Sequence, residues 1–184
     1  GMSSRFNAAL TVEAEQYGDA ILTALPERLI RAAPLPGYRA LPHLEPRGAL
    51  WVAIEVGGGA EIQVINTHLG LVPREQQLQA AALAGEAWLG HGLRRDPLIL
   101  VGDFNATSRT LAYRMLSTRL TDAHAHRGER RRVATFPSAM PVLRIDHGFV
   151  SAGIRILAMA APAHPLARLA SDHLPLVIDF ELEG

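Results

Sequence analysis

The chain has 184 residues, of which 48% are hydrophobic and 20% are charged, a composition that fits one globular domain with a buried core. Its eighteen basic residues are all arginine and balance eighteen acidic residues, which excludes a strong overall attraction to nucleic acid or to an anionic membrane. Because lysine and cysteine are absent, Schiff-base chemistry, a Walker A loop, disulfides and cysteine-ligated metal centres are excluded as well.

The N-terminus and the hydropathy pattern bear on where the protein resides. Gly1 ahead of Met2 predicts a purification-tag remnant, and the segment that follows has neither the apolar core nor the cleavage site of a secretory signal. Every apolar run is shorter than the roughly eighteen residues that a membrane-spanning helix needs. We therefore expect a single cytoplasmic domain over residues 2–184.

The first half of the chain predicts strands. The apolar run Ala20–Leu25 predicts a strand, and Arg28–Tyr38, which contains two prolines, predicts an edge strand or a loop. Two extended runs, Leu50–Val56 and Glu61–Asn66, enclose the turn Gly57–Gly59 and predict a β-hairpin. Such a hairpin would supply two neighbouring antiparallel strands to a sheet.

Helices are expected in the middle of the chain. The segment Arg74–Leu89 is rich in Ala, Leu, Gln and Glu and predicts an amphipathic helix. Its expected buried face follows three- and four-residue spacing and consists of Leu78, Ala81, Ala82, Gly85 and Leu89. The short apolar run Leu98–Val101 predicts a buried strand, and a second helix is expected over Ser108–Met115, with Ser108 as its N-cap.

The C-terminal part predicts further strands, at Ile145–Val150, Ile154–Ala160 and Leu176–Phe180. Strands interrupted by two helices are typical of an α/β or α+β sandwich. In such folds, ligands bind beyond the carboxyl ends of strands, where loops bring polar groups together. The polar residues at the strand ends are therefore the candidates for a functional site.

Asp103 and Asn105 directly follow the predicted buried strand, in the motif Gly-Asp-Phe-Asn at 102–105. Residues two apart point the same way if strand geometry persists. One of the two side chains can then hold a proton or a hard cation while the other donates to a phosphate oxygen. The alternative is an Asx-turn, in which both side chains bond to the nearby backbone.

Three other polar clusters flank predicted strands. Ser171-Asp172-His173 precedes the last strand, and an imidazole beside a carboxylate can serve as a general acid–base pair or bind a hard metal. The others are Arg144–His147 and Asn66–His68, which begin and end strands. For each, the alternative is a capped turn or a solvated sheet edge. Four such clusters together favour a site.

The order of these motifs along the chain resembles that of a known protein family. The order NTHL (66–69), GDFN (102–105), RIDH (144–147) and SDHLP (171–175) resembles the endonuclease/exonuclease/phosphatase superfamily, and the detail is similar to its bacterial metal-dependent hydrolases. Further similarity lies in YGDAIL (17–22), REQ (74–76) and TFPS (135–138), so the resemblance extends from about residue 6 to about residue 182. It implies the deoxyribonuclease-I-like fold, a four-layer α/β sandwich of mixed sheets flanked by helices.

The resemblance also implies catalytic roles. His173 would contact the scissile phosphate and stabilise its developing charge, with Asp146 orienting the imidazole. Asp103 would position or activate the attacking water, and Asn105 would hold the phosphate or that aspartate. His68 would make a further phosphate contact. These roles amount to hydrolysis of a phosphodiester or phosphomonoester by in-line attack of water.

A divalent cation is part of the same expectation. By resemblance, Asp172 would help to bind Mg²⁺ or Mn²⁺, with Asp103 and Asn105 as further ligands. Carboxylate and amide oxygens without cysteine are the ligands that such hard cations prefer. Asn66 and Arg144 are additional candidates for contact with the substrate.

The N-terminal part departs from the family pattern. Family members carry an early Asn and a metal-binding Glu upstream of the YGDAIL-like segment, which here begins at Tyr17. Glu13 and Glu15 lie in the segment just before it, and we assign them to a solvated loop. The expectation is that a homo-oligomer covers the incomplete sheet, or that the chain is a catalytically incomplete fragment or a non-catalytic binding domain of the same fold.

One basic cluster, Arg127–Arg132, could contact an anionic head group or a nucleic-acid backbone. Glu129 interrupts it and the net charge is zero, so a solvated loop is favoured. An enzyme acting on duplex DNA presents a broader basic face. A small or lipid-like phosphate ester is therefore the expected partner, ahead of nucleic acid.

Overall fold

The computed structural model of the chain describes residues 1–126 and 133–183, and the basic cluster Arg127–Arg132 lies outside the described residues. The strands are β1 (Ser3–Val12), β2 (Glu15–Thr23), β3 (Glu27–Pro34), β4 (Gly48–Gly57), β5 (Ala60–His68), β6 (Leu98–Asp103), β7 (Thr121–Asp122), β8 (Asp146–Val150), β9 (Ile154–Ala160) and β10 (Val177–Leu182). The helices are α1 (Pro73–Ala84), α2 (Leu111–Ser117), α3 (Ala123–His126) and α4 (Pro165–Ala170). None of these helices has the length and apolar character that crossing a lipid bilayer requires.

A six-stranded mixed sheet in the order β3-β4-β5-β6-β8-β7 forms the centre of the fold. The β5–β6 pair is parallel, and the other pairs are antiparallel. Two antiparallel ribbons, β1–β2 and β9–β10, are separate from this sheet. The arrangement confirms the expected α/β fold class with a central mixed sheet.

The two faces of the central sheet are covered differently. Side chains alternate along each strand, so odd and even residues of a strand serve opposite faces. On one face, Trp51, Leu100 and Phe149 pack under helices α1 and α2. On the other face, the ribbons cover the sheet: β2 packs through Ile21, and the β9–β10 ribbon packs through its apolar residues. Both faces of the central strands are therefore buried.

The strand predictions are confirmed with shifted bounds. The glycine turn joins β4 to β5 as a hairpin, and the proline-containing segment forms the edge strand β3. Strand β1 is missing from the sequence prediction because its residues are exposed or half-buried and show little apolar periodicity. Glu13 lies in the turn between β1 and β2 at φ 53°, whereas Glu15 is the first residue of β2.

Helix α1 confirms the predicted helix, but the predicted end and buried face are wrong. The helix ends at Ala84 with Gly85 as its C-cap, so it stops five residues before the predicted Leu89. The buried residues are Glu75, Gln76, Gln79, Ala80 and Leu83, whereas Leu78 is 40% exposed. Hydrophobic spacing did not predict this face because the Gln76 and Gln79 amides are buried by hydrogen bonds to the loops.

Helix α2 also begins later than predicted. Thr110 is its N-cap, and the Thr110 hydroxyl accepts a hydrogen bond from the Tyr113 backbone N–H at 3.3 Å. Ser108 lies two residues upstream, exposed in a turn, so its prediction as the N-cap is wrong. Both residues are good caps, and the sequence alone does not separate two hydroxyl residues this close together.

Candidate active site

Three candidate site residues lie side by side across the central sheet. In the parallel β5–β6 pair, His68 is opposite Asp103, and in the antiparallel β6–β8 pair, Asp103 is opposite Asp146. Side chains at one cross-strand position project from the same face of a sheet. The strand register alone therefore lines up an imidazole and two carboxylates at the end of β5 and β6 and the start of β8.

The turn after β6 is shaped by its backbone. Gly102 has φ 148°, and a Cβ atom there would collide with the Thr67 carbonyl of the neighbouring strand. Asn105 adopts a left-handed φ of 48°, a conformation that Asn tolerates better than most residues. Its backbone N–H donates to Asp103 Oδ1 at 2.8 Å. The Asx-turn alternative is therefore present, yet Asp103 Oδ2 still faces the site.

His173 lies between two carboxylates. Its Nδ1 is 2.8 Å from Asp146 Oδ2, and its Nε2 is 3.7 Å from Asp103 Oδ2. The Ser171 hydroxyl accepts from the His173 backbone N–H at 3.0 Å, which shapes the turn. The Phe136 ring packs on the imidazole with 4.8 Å between ring centroids. The ring is thus held in one orientation.

Thr135 anchors this arrangement, and its role was missed from the sequence. Its hydroxyl donates to Asp146 Oδ2 at 2.5 Å, so one carboxylate oxygen bonds both Thr135 and His173. The Thr135 carbonyl accepts from Leu174 N at 2.8 Å, and the Ser138 hydroxyl donates to the Ser171 carbonyl at 2.8 Å. The TFPS segment therefore fixes the loop that carries His173. Its similarity to the family was the available signal.

His68 and Arg47 form the opposite wall. Arg47 Nη1 lies 3.2 Å from His68 Nδ1, and Asn105 Nδ2 lies 3.1 Å from His68 Nε2. Desolvation lowers the pKa of His68 to about 4, and the charges of Arg47 and His173 act in the same direction. His68 is therefore neutral near pH 7. Arg47 supplies the fixed positive charge on this side, and no sequence motif pointed to it.

The buried polar face of α1 supports both site loops. Gln76 Nε2 donates to the Asn105 carbonyl at 2.8 Å and to the Gly70 carbonyl at 3.0 Å, while Gln79 Oε1 accepts from Gly70 N at 2.8 Å. The Glu75 carboxyl lies directly against Gly70, in space that a side chain there would occupy. Asn105 Nδ2 in turn donates to the Leu69 carbonyl at 2.9 Å. These bonds couple the loop after β5 to the loop after β6.

The pKa values of Asp103 and His173 are both raised. Burial raises the pKa of Asp103, and the negative charge of Asp146 adds to this, against the hydrogen bond from Asn105 N–H and the charge of His173. Burial opposes the charged form of His173, but the hydrogen bond and charge of Asp146, with the charges of Asp103 and Asp172, outweigh it and raise the pKa. Both shifts favour the protonated form of the group concerned.

A cleft of about 680 Å³ opens in front of these groups. Its polar lining includes Asp103, Asn105, His173 and the exposed Asp172, and its apolar lining consists of Leu71, Phe136, Leu143 and Ile145. The sequence-predicted residues His68, Asp103, Asn105, Asp146, Asp172 and His173 thus meet at one place. The cleft combines convergent polar groups with apolar walls, as small-molecule sites do.

Two predicted substrate contacts lie elsewhere. The Arg144 guanidinium donates to Asp122 Oδ2 at 2.7 Å, and Tyr113 donates to the same oxygen at 2.5 Å. Burial by itself would raise the pKa of Asp122, but these two partners lower it overall. Asn66 Nδ2 donates to the Ala20 carbonyl at 3.0 Å, toward the β1–β2 ribbon. Both side chains are engaged in bonds that connect structural elements.

The site contains groups that suit a cation. Asp103, Asp146 and His173 each offer one ligand atom, and these atoms lie within 4.8 Å of one another. Asp146 already bonds His173 and Thr135 through Oδ2, which commits it to orienting the imidazole. Asp103, whose charged form burial disfavours, is the carboxylate that a cation would stabilise.

Comparison with known proteins finds a family model and curated relatives that match most of this chain. The model of the Endonuclease/Exonuclease/phosphatase family matches residues 5–173. The chain is 33% identical over 141 residues to YbhP of Escherichia coli K12, a protein described as uncharacterized, and the match covers 75% of this chain and 54% of that protein. The chain therefore spans about half the length of the curated relatives it matches.

Solved structures show the same fold. A mannosyl-6-phosphatase from Bacteroides thetaiotaomicron superposes with a TM-score of 0.78 at 19% identity, over 99% of this chain and 78% of that chain. The human Nocturnin catalytic domain with bound sulfate superposes with a TM-score of 0.73 at 19% identity, over 99% and 73%. Identities this low show a shared fold and leave the substrate open.

Proposed function

Because this chain belongs to the endonuclease/exonuclease/phosphatase family, we propose that it is a hydrolase of phosphate esters that depends on a divalent metal. One observation carries the proposal: His173 is held between Asp146 and Asp103, with N···O distances of 2.8 and 3.7 Å. The cationic imidazole this favours faces a cleft large enough for a phosphate ester. The proposed reaction follows from that geometry.

His173 and Asp103 have different roles in the proposed reaction. In the proposed in-line reaction, water attacks phosphorus, the new P–O bond forms, and the bond from phosphorus to the leaving alcohol oxygen breaks. Asp103 positions the attacking water and accepts its proton. His173 stabilises the charge that develops on the phosphate oxygens, and the leaving alkoxide takes a proton from solvent.

The surrounding residues position these groups. Asp146 keeps His173 oriented and charged, and Thr135 holds Asp146. Arg47, which lines the cleft, attracts the phosphate, while His68 and Asn105 offer neutral polar contacts. Preorganised donors and charges of this kind stabilise a transition state without rearrangement during the reaction.

The residues present fit a hard divalent cation, which we propose to be Mg²⁺ or Mn²⁺. Asp103 and Asp172 both line the cleft and would hold it, with Asn105 beside them. When bound, such a cation supplies Lewis-acid stabilisation of negative charge on the phosphate. Asp146 contributes indirectly, because its oxygen is engaged with His173.

The proposed substrate is a small or lipid-like phosphate ester. Among the described residues, the cleft lining has one arginine and several apolar side chains, among them Leu71 and Leu143, which suits an ester with an apolar portion. The net charge of the chain is zero, whereas an enzyme acting on duplex nucleic acid presents a broad basic face.

Hydrolysis of bis(4-nitrophenyl) phosphate and 4-nitrophenyl phosphate tests the proposal. Wild type, His173→Ala and the surface control Asp179→Ala are assayed with Mg²⁺, with Mn²⁺ and with chelator, after circular dichroism confirms folding. We expect hydrolysis that needs metal, survives in Asp179→Ala and falls at least about 100-fold in His173→Ala. A folded wild type without activity under any of these conditions would contradict the proposal and favour a non-catalytic domain.

A further inference from the structure

A second cavity of about 250 Å³ adjoins the catalytic cleft. It lies between the β1–β2 ribbon and the start of β4, and Arg47 and His68 line both spaces. The ribbon contributes Ala9, Tyr17, Gly18 and Asp19 to its wall. A group attached to a phosphate in the cleft would reach this cavity past Arg47 and His68.

Asp19 is the unusual residue of this cavity. It is 4% exposed, and its Oδ2 atom is buried without a hydrogen-bond partner among the described residues. The Asn7 amide donates to the Ala49 carbonyl at 3.3 Å and also favours the charged form of Asp19 by side-chain hydrogen bonding. Burial raises the pKa of Asp19 to about 7, against the favourable effects of Asn7 and Arg47. A buried acceptor without a partner costs free energy unless a ligand satisfies it.

Gly48 keeps the space beside Asp19 open. A Cβ atom at this position would lie 2.6 Å from Asn7 Nδ2 and 3.3 Å from Asp19 Oδ2. The Thr67 hydroxyl donates to the Gly48 carbonyl at 2.8 Å, which fixes the strand backbone there. The absence of a side chain at residue 48 therefore keeps the space next to Asn7 and Asp19 free at the cavity wall.

Arg47 contributes an unused donor. Its Nη1 group contacts Glu45 Oε1 at 3.1 Å and His68 Nδ1 at 3.2 Å, but its Nε–H is buried and has no partner within the part of the chain that the structure describes. The cavity wall thus offers one unsatisfied acceptor, on Asp19, and one unsatisfied donor, on Arg47.

The charged side chains around the cavity favour a neutral ligand. A cation placed here would meet the Arg47 guanidinium, and an anion would meet Asp19 and Glu45. A neutral hydroxyl group both donates and accepts, so hydroxyl groups can satisfy Asp19 Oδ2 and Arg47 Nε together. The volume is below the 300–1,000 Å³ typical of drug-sized ligands and suits a small alcohol.

We propose that this cavity is the subsite for the alcohol portion of the phosphate ester, and that it selects a polyol, such as a glycerol or sugar moiety, over an alkyl group. The inference rests on the proposed function for the presence of a phosphate ester in the cleft. Asp19 accepts a hydrogen bond from one hydroxyl group, and Arg47 donates to another. Tyr17 and the backbone of Gly48 complete the wall.

Binding without turnover tests the subsite separately from the hydrolysis. The probes are sn-glycerol 3-phosphate and propyl phosphate, which share the carbon chain and the phosphate and differ by two hydroxyl groups. Both are titrated in the presence of chelator into ¹⁵N-labelled protein, and backbone amide shifts are followed by NMR. We expect about five- to tenfold tighter binding of glycerol 3-phosphate, with shifts at Gly18, Asp19 and Gly48 that propyl phosphate does not cause.

Variants assign the preference to Asp19. Asp19→Ala should lose most of the preference for glycerol 3-phosphate and keep only the part due to Arg47, whereas Asp19→Asn, which keeps a carbonyl oxygen, should keep most of the preference. Asp179→Ala, an exposed aspartate on β10, is the matched control. If Asp19→Ala does not fold, Asp19→Leu removes the acceptor while filling the space.

Three results would overturn the subsite: equal affinity of wild type for both probes, no binding of either probe, or a preference that survives undiminished in Asp19→Ala and Asp19→Leu. A measured preference in a protein without hydrolytic activity would support the subsite while contradicting the proposed function. Hydrolysis without any preference between the two probes would do the reverse.

Discussion

Replacement of Asp146 by Asn tests whether His173 acts as a cation held by its neighbour. Asn is close to Asp in size and can still accept a hydrogen bond from Thr135, so the change removes mainly the charge next to His173 Nδ1. A hydrogen bond to a charged group contributes about 1.5–3 kcal/mol. If the transition state depends on it, kcat falls by roughly 10- to 150-fold, since about 1.4 kcal/mol corresponds to a factor of ten.

The pH profile provides the sharper measurement. The charge and hydrogen bond of Asp146 raise the pKa of His173 against the effect of burial, so wild type keeps the imidazolium to higher pH than an isolated histidine would. Without Asp146 the proton is lost at lower pH, and the alkaline limb of kcat in Asp146→Asn moves to lower pH.

Two control variants test whether Asp146 acts through the His173 imidazole. In the His173→Ala background, Asp146→Asn should have almost no further effect, because Asp146 acts through the imidazole. Asp179→Asn, on the surface of β10, should leave the profile unchanged. An alkaline limb at the wild-type position in Asp146→Asn, or additive losses in the double variant, would refute the role of Asp146 as the orienting anion.

Three other changes have defined outcomes. Thr135→Val removes the 2.5 Å hydrogen bond to Asp146, and we expect kcat to fall roughly tenfold with little change in KM, measured by steady-state kinetics. Trp51→Ala removes a fully buried ring, and the free energy of unfolding in urea should fall by about 3–5 kcal/mol. Asp19 has a pKa raised to about 7, so its contribution to stability is lost as pH rises from about 4 to 7. Wild type should therefore lose stability relative to Asp19→Asn across that pH range, in parallel urea titrations, and an unchanged difference would contradict the burial of the charge.

The sequence predicted the parts of the fold that rest on apolar periodicity. The hairpin around Gly57–Gly59 and the buried run Leu98–Val101 appear at the expected places, because a central strand must be apolar on both faces. Strand β1 was missed because its side chains are not buried deeply enough to leave a pattern. A hydropathy pattern does not detect side chains that are buried by hydrogen bonding. For this reason Gln76 and Gln79 of α1 were not among the residues predicted to be buried.

The candidate site was predictable to the extent that its residues sit at strand ends in short motifs. Asp103 and His173 came from such motifs, and the structure brings them together through the strand register and the TFPS segment. Arg47 was not predictable, since it lies in a loop whose path depends on tertiary packing. Arg144 shows the converse: it stands beside a motif residue, but its partner Asp122 is distant in sequence.

The row formed by His68, Asp103 and Asp146 limits which parts of the protein can vary during evolution. All three residues belong to paired strands, so their spacing is set by the backbone ladder and cannot relax without breaking the sheet. The loop 35–46 and the segment 161–170, which contains α4, are outside that ladder. New substrate preferences can therefore arise by exchange of the segments outside the ladder while the row persists.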